Sequence, residues 1–144
     1  MTLATYAASG SAGTPLTGVE YRPGVCNIGP AEIARRRRAG HVGLLVTVAA
    51  FAALVAIDAP SLARLILVLP AAAAASGYLQ AWLKFCAGFG SRGIFNFGPV
   101  GDTQQVVDED ARARDRVRAN RIGLASLAIG LVVGIAAAVI PIGA

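Results

Sequence analysis

The segment RVRANRIGLASLAIGLVVGIAAAVI, residues 116–140, decides the fold of this chain. Its first six residues carry three arginines, whereas the nineteen residues from Ile122 to Ile140 carry no charge. A helix needs about 20 predominantly apolar residues to cross a bilayer core. The pattern therefore predicts a transmembrane helix that is entered from a basic collar.

Two further apolar runs, at about 40–57 and 62–83, resemble the run at about 121–140 in length and composition. Together they predict an all-α integral membrane protein with three transmembrane helices, and the mean hydropathy of +0.62 agrees. We expect residues 18–144 to form a single three-helix membrane domain that includes a loop at 85–121. Residues 1–17 are small and polar, so we expect them to form a flexible N-terminal segment.

The basic residues predict how the chain is oriented. All 13 Lys and Arg residues except Arg64 lie before the first run or between the second and third runs. Short loops rich in Lys and Arg stay inside, so the N-terminus and loop 85–121 should be cytoplasmic and the C-terminus outside. The strong preference for Arg over Lys, in a chain rich in Ala, Gly and Val, favours a bacterial cytoplasmic (inner) membrane as the location of this multi-pass protein.

A net charge of +5 does not predict nucleic-acid binding here, because the cations flank membrane spans and alternate with acidic residues in the loop. We instead expect the collars to contact anionic lipid headgroups. The residues expected to do so are Arg35, Arg36, Arg37, Arg38, Arg118 and Arg121.

Small side chains predict how the helices pack. Gly130 and Gly134 form a GxxxG pair, and such small faces let membrane helices approach closely. The second run offers a matching face through Ala71, Ala75 and Gly77. We expect these two faces to meet, although a face on another chain and a chance occurrence in an Ala- and Gly-rich sequence both stay open. Within the same run, Pro70 predicts a kink.

A charged helix should lead into the third span. Asp102 or Thr103 is placed to cap a helix that continues through residues 104–118. In such a helix Asp108 would face Arg112 and Asp110 would face Arg114 at the i,i+4 spacing that favours ion pairs.

Two short patterns occur twice in the same order. Asn27-Ile-Gly-Pro30 recurs as Asn96-Phe-Gly-Pro99, and each copy precedes a basic collar and an apolar run. A pseudo-repeat around the second span and a coincidence of common residues both explain this echo.

The two cysteines are the remaining chemical candidates. If residues 19–25 and 94–97 form paired strands, Cys26 and Cys86 would come together as part of a metal site. Structural zinc normally needs four ligands at paired spacings, which this chain lacks, so we predict no cofactor and keep a metal at Cys26 and Cys86 as an alternative. The GxGxxG match at 88–93 follows a membrane run and not a strand, so it does not predict nucleotide binding.

The spans lack the buried ionisable residues that pumps and ion-coupled transporters need, and no catalytic set can be assembled around the single histidine. The leading hypothesis is a non-catalytic accessory or assembly subunit of a larger bacterial membrane complex, such as a respiratory or photosynthetic one. Its partners would be other membrane protein subunits and anionic lipids. The alternatives are a cytoplasmic-facing thiol or metal module using the two cysteines, and a small homo-oligomeric membrane protein.

Overall fold

A computed structural model describes residues 20–142, so the segment 1–17 that was predicted to be flexible lies outside the described residues. The elements follow each other as helix α1, a 3-10 helix, helices α2 and α3, strands β1 and β2, and helix α4. Their bounds are Pro30–Ala56 (α1), Ser61–Leu67 (3-10), Val68–Trp82 (α2), Ala87–Arg92 (α3), Ile94–Phe95 (β1), Gln104–Gln105 (β2) and Glu109–Val139 (α4).

Within residues 20–142, three helical segments are long and apolar enough to cross a membrane: Pro30–Ala56, Ser61–Trp82 and Glu109–Val139. The first and third are longer than the runs predicted from composition. Pro30 lies in the first turn of α1, where its missing N–H costs no hydrogen bond, so the helix begins well before the apolar run. Both basic collars are therefore part of α1 and α4, and in each helix the collar lies ahead of the apolar run.

The second segment differs from the kinked helix that Pro70 predicted. It begins as the 3-10 helix, becomes α-helical at Val68, and places Pro70 in the first turn of α2. Proline is tolerated there because the N–H groups of a first turn have no partner within the α-helix. Pro70 therefore lies just after the change of helix type and not in the interior of a continuous α-helix.

Helix α2 packs against α1 through glycines that leave no room for a side chain. A Cβ on Gly77 would lie 2.7 Å from the Cα of Gly40, and a Cβ on Gly43 would lie 2.8 Å from the backbone nitrogen of Ala74. These distances are far shorter than ordinary carbon contacts, so the two backbones touch directly at this crossing.

Helix α4 packs against the start of α2 in the same way. A Cβ on Gly130 would lie 2.6 Å from the carbonyl oxygen of Val68 and 2.7 Å from the Cβ of Ala72, and Gly134 lies against the Val68 side chain. Gly77 therefore meets α1 and not the glycines of α4, with which the sequence grouped it. The reason is that α2 lies between two helices and uses small residues toward both, with Ala71 and Ala75 also buried.

Helix α4 begins at Glu109, several residues later than a cap at Asp102 or Thr103 would give. Asp108 is the actual N-cap, and its carboxylate accepts a 2.8 Å hydrogen bond from the backbone N–H of Ala111. The preceding residues are extended, because β2 pairs antiparallel with β1 and the buried Val106 donates its N–H to the carbonyl of Gly93.

The ion pairs along α4 also differ from those expected. Glu109 lies 3.8 Å from Arg112 and 2.8 Å from Arg116. The Asp108 carboxylate caps the helix, and Arg114 donates to the backbone carbonyl of Asp110, not to its carboxylate. A capping carboxylate satisfies backbone donors that would otherwise be unpaired, so it takes precedence over an exposed ion pair.

Candidate functional site

Polar contacts concentrate at one end of the molecule, in a unit formed by residues 20–36 and 84–121 that we call the polar cap. At its centre the two N-x-G-P segments lie side by side. The N–H of Gly29 donates to the carbonyl of Asn96 at 2.8 Å, and the N–H of Asn96 donates to the carbonyl of Asn27 at 3.0 Å. A Cβ on Gly29 would lie 2.9 Å from the Cα of Phe97, so this close approach requires glycine. The two similar motifs are thus direct neighbours in space.

Both asparagine side chains of these motifs are buried and bind backbone. Asn27 donates to the carbonyl of Cys86 at 3.1 Å and accepts from its N–H at 2.7 Å. Asn96 donates to the carbonyl of Pro99 and accepts from the N–H of Gly98, both at 2.8 Å. Asn27 therefore joins the N-terminal segment to the corner between α2 and α3, whereas Asn96 shapes its own turn.

A buried acid lies beside this pairing. Glu32 is fully buried, with its carboxylate 3.7 Å from Arg36 and 3.8 Å from Arg35. Arg36 also donates to the sulfur of Cys86 at 2.9 Å and lies over the ring of Phe89. Arg36, which the sequence grouped with lipid-contacting residues, therefore points into the polar cap.

The other collar residues lie at the surface to different degrees. Arg35, Arg37, Arg38 and Arg121 are exposed, and Arg118 is half-buried. The first collar thus presents three of its four arginines outward, and two of these, Arg37 and Arg38, form no ion pair within residues 20–142.

A second buried acid, Asp115, holds the N-terminal turn against α4. Its carboxylate accepts from the Tyr21 hydroxyl at 2.8 Å and from the N–H of Gly24 at 2.7 Å. Burial, together with the hydrogen bond to Asp115, raises the pKa of Tyr21 above its ordinary value. Sequence reasoning missed this role because Asp115 lies among five arginines on a helix that reads as solvated. The one signal in the sequence was that Asp115 is the only acidic residue after Arg112.

The two cysteines are free and buried, and each has its own partners. The sulfur of Cys26 faces the carbonyl of Ile28, and burial raises the pKa of this thiol. The sulfur of Cys86 accepts from the N–H of Phe89 at the start of α3. The strand pairing that would have joined residues 19–25 to 94–97 is replaced by β1 with β2 and by the bridge between Ile28 and Asn96. Across residues 20–142, no group of three or more His, Cys, Asp and Glu side chains is placed to hold a metal ion.

An open groove of about 380 Å³ lies between the N-terminal turn and α4, and we call it the arginine groove. Its lining residues are Pro23, Gly24, Ala113, Arg114, Val117, Arg118 and Arg121. The Nε atom of Arg118 is shielded from solvent and has no hydrogen-bond partner among residues 20–142. The groove is therefore a concave, cationic surface of the polar cap.

At the opposite end of the molecule, Arg64 caps α4. Its guanidinium is buried and donates to the carbonyls of Ala137, Ile140 and Ile142 at 3.4, 3.1 and 2.8 Å. A cation at a helix C-terminus satisfies unpaired carbonyls and opposes the negative end of the helix dipole. Arg64, the only basic residue of the sequence outside the polar cap and the first collar, thus has a structural role that the sequence alone did not reveal.

The chemistry of the polar cap follows from these contacts. Its buried carboxylates and amides bind backbone groups, arginines and a tyrosine, so they hold chain segments together. Its outward-facing side chains include arginines on both collars and a group of acids at the start of α4. No family model, curated protein or solved structure matches this chain.

Proposed function

We propose that this protein is a non-catalytic accessory or assembly subunit of a larger complex in the bacterial cytoplasmic membrane, with the polar cap on the cytoplasmic side. The observation that carries the proposal is a stripe of exposed alanines on α1, which we call the alanine stripe. It consists of Ala49, Ala52, Ala53 and Ala56, whose spacing places them on one helical face.

The alanine stripe contrasts with the small-residue faces that the fold already uses. Gly40 and Gly43 are covered by α2, and Gly130 and Gly134 are covered by the start of α2. Only 11% of the apolar window of α1 is buried, against 33% and 28% for the other two segments. Most of the first membrane helix is therefore open to its surroundings.

Between membrane helices the hydrophobic effect gives little drive, so association depends on close packing of small faces. Lipid chains cover Leu and Val side chains well, but an alanine stripe lets another helix come close enough for extensive van der Waals contact. We therefore assign the alanine stripe to a helix of a partner subunit.

The polar cap supports a role in assembly and not in catalysis. Its buried polar side chains bind the chain itself, which makes a well-defined surface at the membrane boundary. The exposed Arg35, Arg37 and Arg38 would contact anionic lipids and hold this surface against the cytoplasmic leaflet.

The test is gentle extraction of the tagged full-length chain from its native membrane, followed by measurement of what co-purifies and at what stoichiometry. We expect other membrane subunits at a fixed ratio. The double substitution Ala49→Leu with Ala53→Leu should lower their recovery about tenfold, which corresponds to about 1.4 kcal/mol of association energy.

The matched control is Ala125→Leu with Ala128→Leu, which makes the same change at exposed positions of α4. Recovery of partners should stay at the wild-type level in this control. A wild-type chain that is recovered alone, or only with further copies of itself, would overturn the subunit role and leave the homo-oligomeric alternative.

A further inference from the structure

We infer that the arginine groove is a binding site for a phosphate group, occupied by the headgroup phosphate of an anionic phospholipid. The inference rests on the membrane placement in the proposed function, but it is independent of the subunit role.

The cationic wall of the groove is one stripe of α4. Arg114, Arg118 and Arg121 follow each other at four- and three-residue spacings, so they project from the same side of the helix. The opposite wall is the turn at Pro23 and Gly24. A Cβ on Gly24 would lie 3.3 Å from the Cβ of Arg114, so this turn rests directly on the helix.

The opposite wall is held in place by a buried bond. The N–H of Gly24 donates to the Asp115 carboxylate at 2.7 Å, and the same carboxylate binds the Tyr21 hydroxyl. Asp115 is fully buried, and each of its two carboxylate oxygens accepts one of these hydrogen bonds. Two chain segments that are far apart in sequence thus build the groove, which sets it apart from an ordinary charged helix surface.

The arginines of the groove differ from the arginines on the neighbouring stripe of α4. Arg112 and Arg116 both pair with Glu109. Within residues 20–142, no ion pair includes Arg114, Arg118 or Arg121.

The atoms of the groove show the same lack of partners. Arg114 donates only weakly, at 3.4 Å, to the carbonyl of Asp110, and the Nε of Arg118 is shielded without a partner. Three guanidinium groups beside one buried carboxylate, that of Asp115, leave a local excess of positive charge that an anion would balance. A guanidinium fork matches two phosphate oxygens, which favours a phosphate over a simple halide.

The position of the groove selects a lipid as the source of the phosphate. Arg121 directly precedes Ile122, where the apolar run begins, so the groove opens at the boundary between the polar cap and the membrane segment. Below it, Ala125, Ala128 and Val132 are exposed and continue the same helical face. A phosphate in the groove would therefore have its acyl chains lying along α4 within the bilayer.

The experiment uses the full-length chain purified in a mild detergent after exposure to a mixture of phosphatidylglycerol and phosphatidylcholine. Mass spectrometry measures the lipid that stays bound after washing. We expect selective retention of phosphatidylglycerol, reduced at least tenfold by Arg118→Gln with Arg121→Gln.

The matched control is Lys84→Gln with Arg92→Gln, which removes the same charge from exposed positions of the polar cap outside the groove and the collars. This control should retain phosphatidylglycerol. Should the groove variant fold poorly, the single changes Arg121→Gln and Arg92→Gln, both at exposed positions, give the same comparison.

A second measurement separates a lipid from a soluble phosphate. Inorganic pyrophosphate is added to delipidated protein, and the unfolding temperature is followed. Stabilisation that disappears in the groove variant, without retention of phosphatidylglycerol, would support the phosphate site and reassign its source to a soluble phosphate.

Equal losses in the groove and control variants would show general electrostatic attraction and overturn the site. Absence of both lipid retention and pyrophosphate stabilisation would also overturn it. Because these measurements need no partner protein, their outcome is separate from that of the co-purification experiment.

Discussion

The polar cap and the helix crossings of α2 are held together by opposite means. In the polar cap, Glu32 and Asp115 are fully buried and bind specific donors. At the crossing of α1 and α2, Gly40 and Gly77 bring two backbones into contact, and His41 and Tyr78 beside them share a 2.6 Å hydrogen bond. The comparison teaches that the two regions fail for different reasons. The polar cap loses stability when a hydrogen-bonding atom is removed, whereas the crossings lose stability when side-chain atoms are added.

The largest effect should come from overfilling a crossing. Gly77→Leu would force side-chain atoms into the backbone of Gly40 and Arg36, and helix backbone has no small movement that relieves this clash. We expect a loss of more than about 3 kcal/mol in the free energy of unfolding, measured by denaturation in mixed micelles.

Gly123→Leu is the control for this prediction, because nothing lies within 4 Å of a Cβ at that position. Its free energy of unfolding should match that of the wild type. Equal stability of the two variants would mean that α1 and α2 do not meet at Gly77.

An intermediate effect should come from removing an acceptor in the polar cap. Asp115→Ala would leave the Gly24 N–H and the Tyr21 hydroxyl without their partner, at a cost of about 2 to 3 kcal/mol. The N-terminal turn should then detach from α4 and become open to proteolysis near residues 20–26. Asp110→Ala, at an exposed position, should leave both stability and cleavage unchanged. If the turn stays resistant to proteolysis in Asp115→Ala, Asp115 does not hold the N-terminal turn against α4.

The smallest effect should appear as a change in pH dependence. The pKa of Tyr21 is raised above its ordinary value of 10.0, so the folded state holds the phenolic proton more tightly than the unfolded state. The resulting stability is fully present below pH 10 and is lost as the pH rises above it.

Tyr21→Phe removes this group. It should lower the free energy of unfolding by about 1 kcal/mol at neutral pH and weaken its decline above pH 10. Unfolding free energies measured between pH 7 and 11 check the effect, and parallel curves for the two proteins would count against the Tyr21–Asp115 bond.

Local composition is sufficient to locate the long helices, because a run of about 20 apolar residues has few other stable environments. It is insufficient for their neighbours. The small face at Gly77 suits any close-packed helix, so only the three-dimensional arrangement of α2 selects Gly40 over Gly130. The start of α4 is ambiguous for a similar reason, since Asp102, Thr103 and Asp108 are all suitable N-caps. The extended segment fixed by Val106 decides among them.

The polar cap was the least predictable region. Glu32 stands beside four arginines and Asp115 lies among five, so each looks like part of a solvated charged helix. Their burial depends on segments that are distant along the chain. The repeated N-x-G-P motif marks the two segments that lie side by side at the centre of the polar cap. Similarity in sequence, however, does not by itself indicate that two segments pair.

The hydrogen bond between Tyr21 and Asp115 also sets an order of folding events while the protein is being synthesised. The two residues are 94 positions apart, so the N-terminal turn has no site to dock on until α4 has been translated. At about 5 to 20 residues per second, the ribosome needs roughly 5 to 20 s to cover that distance. Within this interval Asn27 and Glu32 gain their partners from the later chain, first Cys86 and then Asn96. Closure of the polar cap therefore waits for the start of α4, and it follows translation of the first two long helical segments.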